Sequence, residues 1–184
     1  MRDFVGTVSE AGCNTFIVHA RNAWLQGLSP KENREVPPLR YELVHQLKRE
    51  FPHLSIMLNG GVTTAAQIQE QLAAGLDGVM VGREAYHNPW FLTQWDTLGD
   101  ANAPAFALTR EEVEAQMVAY MAREAAAHGT GWQSIARHML GLRNGLPGAR
   151  RWRQVWSDHK LKALPPHEVM AVARQSSRGA VLQD

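Results

Sequence analysis

Apolar positions along the first ninety residues gather into short runs separated by longer polar or amphipathic stretches, the pattern of repeated strand and helix units. Thr15-Phe-Ile-Val-His-Ala20 is β-branched and aromatic without polar alternation, which predicts a strand buried on both faces of a parallel sheet. Leu54-Ser-Ile-Met-Leu-Asn59 and Gly78-Val-Met-Val81 predict the second and third strands. Helices are expected from about Asp3 to Ala11 with Gly12 behind it, from about Arg40 to Glu50, and from a cap at Thr63 or Thr64 through Ala74 to Gly75. Arg21 to Leu39 holds Gly27, Pro30, Pro37 and Pro38 and is too long for a simple connector, so it is a candidate carrier of function.

After Pro89-Trp90 the pattern becomes helical. A polar stretch from Thr93 to Pro104 is the expected boundary, dividing a domain at 1–98 from one at 104–184. Thr109-x-x-Glu112 is a capping box for a helix running to about His128, stopped by Gly129. Further helices fit 131–144, 149–163 and a last one from Pro165-Pro166. Three parallel strands are too few for a closed β/α barrel, which needs eight and typically about 250 residues. The expectation is therefore an α/β chain: the C-terminal part of a (β/α)8 TIM barrel, then an all-α helical domain. A small doubly wound sheet is the alternative, but its ligand loop normally follows the first strand, and here the glycines follow the last two. A piece with an unpaired edge and bare apolar surface is expected to dimerise or aggregate unless an upstream half is supplied.

Charge adds an asymmetry. Residues 1–130 hold 10 Lys+Arg against 15 Asp+Glu, whereas residues 131–184 hold 9 against 3. In that basic third, Trp132, Trp152 and Trp156 interleave with Arg137, Arg143, Arg150, Arg151 and Arg153, a pattern open to two readings: a nucleic-acid footprint or a solvated helix surface. No apolar run approaches a membrane span and the N-terminus has no signal design, so a cytoplasmic location is expected. Cys13, the one cysteine, excludes an internal disulfide, and its place before a buried strand predicts an inert core thiol.

Gly60-Gly61 and Gly82-Arg83 follow the last two strands, where β/α barrels hold phosphates on backbone amides. Arg83 adds a charge-assisted partner. Tight turns alone would also use glycine there. His19 and Arg21, alternating at the end of the first strand, point the same way and are candidate donors to a planar or anionic ligand, against the alternative of a satisfied core histidine. The remaining histidines show no metal-ligand spacing, and no metal site is expected.

Ile17-Val18-His19-Ala20-Arg21, Leu58-Asn59-Gly60-Gly61-Val62, and Val81-Gly82-Arg83 with Asn88-Pro89-Trp90 resemble, in order and spacing, the second half of tRNA-dihydrouridine synthases. Gly27 to Leu39 and Asn144 to Arg153 are similar to segments of the A subfamily. The resemblance covers essentially the whole chain. It implies FMN-dependent reduction of uridine in the tRNA D-loop, at positions 20 and 20a, with NADPH as electron source, in a full-length enzyme expected to be monomeric. By the same resemblance His19, Arg21, Asn59, Gly60, Gly61, Gly82 and Arg83 would bind FMN, and Lys31, Arg34, Arg150 and Arg153 would contact tRNA. The family's proton-donating cysteine lies on an N-terminal barrel loop that this chain lacks, so Cys13 does not take its role and the chain alone is expected to be inactive. The resemblance also implies a basic residue after His-x-Arg, where this chain has Asn22. Two other readings stay open here: a noncatalytic tRNA-binding fragment, and another FMN barrel oxidoreductase acting on a small molecule.

Overall fold

The computed structural model describes residues 1–24, 26–99 and 102–181. The chain forms two compact units, Met1–Gly82 and Arg83–Asp184.

In the first, β1 (Thr15–His19), β2 (Ser55–Asn59) and β3 (Gly78–Met80) form a parallel sheet in the order β1-β2-β3. The helix α1 (Arg2–Glu10) precedes β1, α2 (Tyr41–Glu50) joins β1 to β2, and α3 (Ala65–Ala73) joins β2 to β3. Ile17 pairs with Met57 and Met57 with Gly78; His19 pairs with Asn59 and Asn59 with Met80. Paired residues share a face and successive ones alternate, so the register separates the two faces. Ile56 and Leu58 are fully buried, in a core with Val44 and Leu47 of α2 and Ile68 of α3. On the other face Ile17 is 54% and Met80 46% exposed. This corrects the expectation that β1 is buried on both faces: it is an edge strand, and helices cover only one side. Cys13 is likewise exposed rather than in the core; it lies in the turn before β1, with its Sγ 3.5 Å from the Thr15 carbonyl.

Local chemistry fixes the ends of these elements. Thr64 is the cap of α3: its hydroxyl accepts from the Gln67 amide at 3.2 Å, and the Gln67 side chain accepts from the amides of Thr63 and Thr64. Beneath the sheet, Asp77 Oδ2 accepts from the Ile56 amide at 2.8 Å and from Lys48 Nζ at 2.7 Å, and Lys48 also donates to the carbonyls of Leu54 and Pro52. One carboxylate thus ties the start of β3 to β2 and α2.

The second unit contains α4 (Arg83–His87), a 3-10 segment (Pro89–Gln94), α5 (Trp95–Gly99), α6 (Arg110–His128), α7 (Trp132–Ala136), α8 (Ala149–Trp156), a 3-10 turn (His159–Leu161) and α9 (Pro166–Val181). The compact units divide at Gly82; of the boundary expected between 98 and 104, residues 100 and 101 lie outside the described residues. α4 and the 3-10 segment belong with the helices that follow. Gly141 lies so close to the His87 carbonyl that a side chain there would overlap it, Asn144 Nδ2 donates to the same carbonyl at 2.5 Å, and the Arg110 guanidinium stacks 4.3 Å from the Trp90 ring centre.

The capping box at Thr109 and the stop at Gly129 are both present. Two helices are shorter than their patterns predict. α7 closes at Ala136, beyond which the chain continues in tighter turns, with the amides of His138, Met139 and Leu142 each reaching back three residues. α8 closes at Trp156 because Ser157 turns its hydroxyl onto the Arg153 carbonyl and Asp158 caps the 3-10 turn through the Lys160 amide.

At the centre of this unit Glu114 is completely buried. Its Oε1 accepts from the indole nitrogens of Trp152 at 2.6 Å and Trp156 at 3.0 Å, and its Oε2 from Arg174 Nε at 2.9 Å. Arg143 pairs with Glu111 and stands 4.0 Å from Glu114. Trp132, Met121, Val169 and Ala173 complete the core around this cluster.

Removing one member of such a cluster strands the others. Glu114→Ala is expected to lower stability by about 3–5 kcal/mol, read from the urea midpoint followed by tryptophan fluorescence; a change below about 1 kcal/mol would contradict a central role. For Asp77, the hydrogen bond from Lys48 and then the Ile56 amide hold the carboxyl below its usual value near 3.8. Its stabilising contribution is therefore complete above the unfolded range and lost as pH falls through the lower folded value. Asp77→Asn should cost about 1 kcal/mol at neutral pH, discounted because the group retains contact with water, and the gap to the parent should close on acidification.

Candidate functional site

Parallel pairing brings the C-terminal ends of all three strands to one edge, where the residues singled out in the first unit lie. His19 closes β1 and pairs with Asn59, which closes β2. Gly60 and Gly61 follow directly, and Gly82 follows β3 after Val81.

The two glycines of the turn do different things. Gly60 has φ +127° and Gly61 φ +72°, values that L side chains rarely adopt. A Cβ on Gly60 would stand 3.4 Å from the His19 ring, so the bare backbone leaves a shallow surface beside that imidazole. A Cβ on Gly61 would come within 2.5 Å of Leu39 Cδ1 and 3.3 Å of the Tyr41 oxygen, so this glycine is required by packing. The Tyr41 hydroxyl donates to the Gly60 carbonyl at 2.6 Å and fixes the direction of that peptide. Burial raises the Tyr41 phenol above its usual range, against the opposing pull of the Arg21 guanidinium, so it stays a donor.

Arg21 turns to the long loop. Its Nη1 donates to the carbonyls of Glu35 and Pro37, its Nε is buried without a partner, and its backbone bridges to Leu39. The Arg40 amide adds a bond to the Ala20 carbonyl at 2.8 Å. Arg21 thus closes the neck of the loop and holds Leu39 and Tyr41 where the glycine turn needs them. Within the loop, Asn33 exchanges hydrogen bonds with both backbone groups of Trp24, at 2.7 and 2.9 Å. Lys31 and Arg34 are exposed at a 3-10 turn over Glu32–Arg34; Leu25 lies outside the described residues.

In the second unit Arg83 is the first residue of α4. Arg150 and Arg153 are exposed on α8, three residues apart on one face, with Arg153 Nη1 donating to Asn144 Oδ1 at 3.3 Å. The tryptophans of the basic third are no stacking platform: Trp132, Trp152 and Trp156 are buried, and Arg143 is only 9% exposed. The exposed part of the footprint is Arg137, Arg150, Arg151 and Arg153.

Sequence reasoning missed Tyr41 and Glu114. Nothing marks Tyr41, whose role depends on a glycine turn 19 residues away. Glu114 had a signal: it precedes Val118 and Met121 at helical spacing, so an acid falls on a buried stripe and demands partners.

Comparison with known proteins adds to this geometry. Residues 1–176 match the family model described as Dihydrouridine synthase (Dus). The tRNA-dihydrouridine(20/20a) synthase of Shewanella oneidensis is 50% identical over 173 residues, 94% of this chain and 51% of that protein. Its namesake in Pseudomonas aeruginosa is 50% identical over 178 residues, 96% of this chain and 52% of that protein. The one in Pseudomonas syringae pv. tomato is 53% identical over 165 residues, 89% of this chain and 48% of that protein. The chain spans about half the length of the curated relatives it matches.

The packing role of Gly61 is testable. Gly61→Ala should cost about 1–3 kcal/mol, from positive φ and overlap with Leu39, and pairing it with Leu39→Ala should recover the steric part in a double-mutant cycle. Equal stability of Gly61→Ala and the parent in urea would contradict this.

Proposed function

The chain belongs to the dihydrouridine synthase family, and from that premise we propose that it is the C-terminal part of a tRNA-dihydrouridine(20/20a) synthase, reducing uridine in the tRNA D-loop with FMN and NADPH. The observation that carries this reading is about 50% identity, over nearly the whole chain, to relatives of that name. The sheet supports placement in a barrel. Helices lie on one face only, as around a β/α barrel, whereas a doubly wound sheet is covered on both. The glycine turns follow the last two strands, and the helical unit comes after them.

The strand-end edge fits the cofactor. Gly60 offers bare backbone beside the His19 ring, a surface any side chain would fill. His19 contacts the flavin; Asn59, Gly60 and Gly61 hold it near its phosphate, joined by Gly82 and the Arg83 that follows it in sequence. Arg21 acts through the loop neck, and Tyr41 through the Gly60 carbonyl. When bound, FMN supplies the hydride for the uridine C5=C6 bond. Lys31, Arg34, Arg150 and Arg153 meet tRNA phosphates, setting register without reading bases. The proton donor is not Cys13, which lies at the start of β1, opposite the end closed by His19. A cytoplasmic, monomeric full-length enzyme accords with this reading; among the described residues no helix is long and apolar enough to cross a membrane.

Anaerobic incubation with unmodified tRNA, FMN and NADPH, followed by mass spectrometry of nucleosides, tests the assignment. This chain alone should bind tRNA and form no dihydrouridine, and Arg150→Ala/Arg153→Ala should weaken binding about tenfold or more with a shallower salt dependence. Product formation by the chain alone would overturn the assignment of the proton donor to the other half. Binding indifferent to the double substitution would remove the tRNA role of α8.

A further inference from the structure

At the junction of α7, the turns after it and the end of α8 lies a cleft of about 320 Å³. Leu140 forms its apolar floor, with the buried Trp156 beneath, and Gln133, Arg137, Ser157 and His159 form its polar rim. That volume is near the lower limit of small-ligand sites, about 300–1,000 Å³, which admits one nucleotide and no more. Arg150 and Arg153 share a face of α8, and Ser157 is the residue that caps its end. The cleft therefore opens at the end of the exposed arginine stripe.

Arg137 is prepared for an anion. Its Nε donates to His138 Nε2 at 3.0 Å, which makes that nitrogen the acceptor and leaves the ring proton on Nδ1, 3.1 Å from the Tyr86 hydroxyl oxygen. The Tyr86 ring meets the His138 ring edge-on, with centres 5.8 Å apart. One side of the guanidinium is thereby fixed, while its two terminal nitrogens have no protein partner among the described residues and keep a fork that matches phosphate. No carboxylate lines the cleft. The nearby Asp158 already accepts from the Lys160 amide.

We propose that this cleft takes one nucleotide of the bound tRNA, its phosphate on the terminal nitrogens of Arg137 and its base against Leu140. His138 is the positioning residue that aims the guanidinium. The proposal rests on the tRNA-binding reading above and extends it, since it makes the end of α8 a subsite that grips a single unstacked residue of the strand.

Fluorescence anisotropy of labelled, unmodified tRNA against the whole chain, over a range of salt, provides the test. Arg137→Gln should weaken binding about tenfold and lower the slope of log affinity against log salt by about one, as for the loss of a single phosphate contact. Gln133→Trp, which fills the mouth without changing charge, should weaken binding with the slope unchanged. Circular dichroism and thermal midpoints should match the parent for Arg137→Gln, because Arg137 is exposed. If Arg137→Gln and Gln133→Trp bind as the parent does while Arg150→Ala/Arg153→Ala still binds weakly, the subsite is wrong and the tRNA reading stands. If the parent chain itself fails to bind tRNA, or binds without salt dependence, the reading beneath it fails and the subsite goes with it.

Discussion

A parallel sheet delivers every strand to the same edge, so the register pairing His19 with Asn59 and Asn59 with Met80 decides what can gather beyond it. The ends of β1 and β2 place an imidazole and an amide side by side, and the turn that follows has to leave β2 without covering them. Gly60 and Gly61 accomplish this because both can adopt positive φ. The turn does not stand alone, however. Arg21 draws the loop neck together, which seats Leu39 against Gly61 and brings the Tyr41 hydroxyl onto the Gly60 carbonyl. Arg21, a candidate ligand donor by its place at the end of β1, supports the glycine turn through these loop contacts.

The second unit rests on a different constraint, a carboxylate removed from water. Desolvating Glu114 would be prohibitive without donors, and its environment supplies two indole N–H groups and a guanidinium. This decides the orientation of α8. With Trp152 and Trp156 turned inward to Glu114, Arg150 and Arg153 on the same short helix must face outward. The exposed arginine stripe is thus a consequence of the buried acid, and α6, α8 and α9 are held by one shared set of hydrogen bonds.

Much of this was legible in the order of residues. The three strands, the helices between them, a cap at Thr63 or Thr64, the capping box at Thr109 and the glycine turn at the strand ends follow from periodicity and cap chemistry, because these are local. What escaped were features set by distant neighbours. Phe16 to Val18 reads as a run buried on both sides, yet what lies over a strand's outer face depends on the rest of a sheet, and Ile17 is bare here. The packing of Gly141 and Asn144 on the His87 carbonyl joins residues more than fifty positions apart, which no local pattern announces. Cys13 was misplaced for a related reason: adjacency to a strand was taken for burial, although the turn carrying it is open to water.

The arginines show why composition alone left two readings of the basic third. Arg174 and Arg143 are counter-charges for Glu114 and Glu111. Arg110 lies over the Trp90 ring and feels burial more than any ion pair, which lowers its pKa from the usual guanidinium value. Arg21 is spent on loop carbonyls. Only where a guanidinium is exposed and held at one side, as Arg153 is by Asn144 and Arg137 by His138, does it keep donors for a partner while losing little rotamer freedom on meeting one. Counting charges cannot separate these cases, since the same side chain serves as counter-ion, stacking plate, brace or ligand fork according to what surrounds it. For Arg137 and Arg153 the group that holds the guanidinium is an imidazole nitrogen and a side-chain amide oxygen rather than a carboxylate.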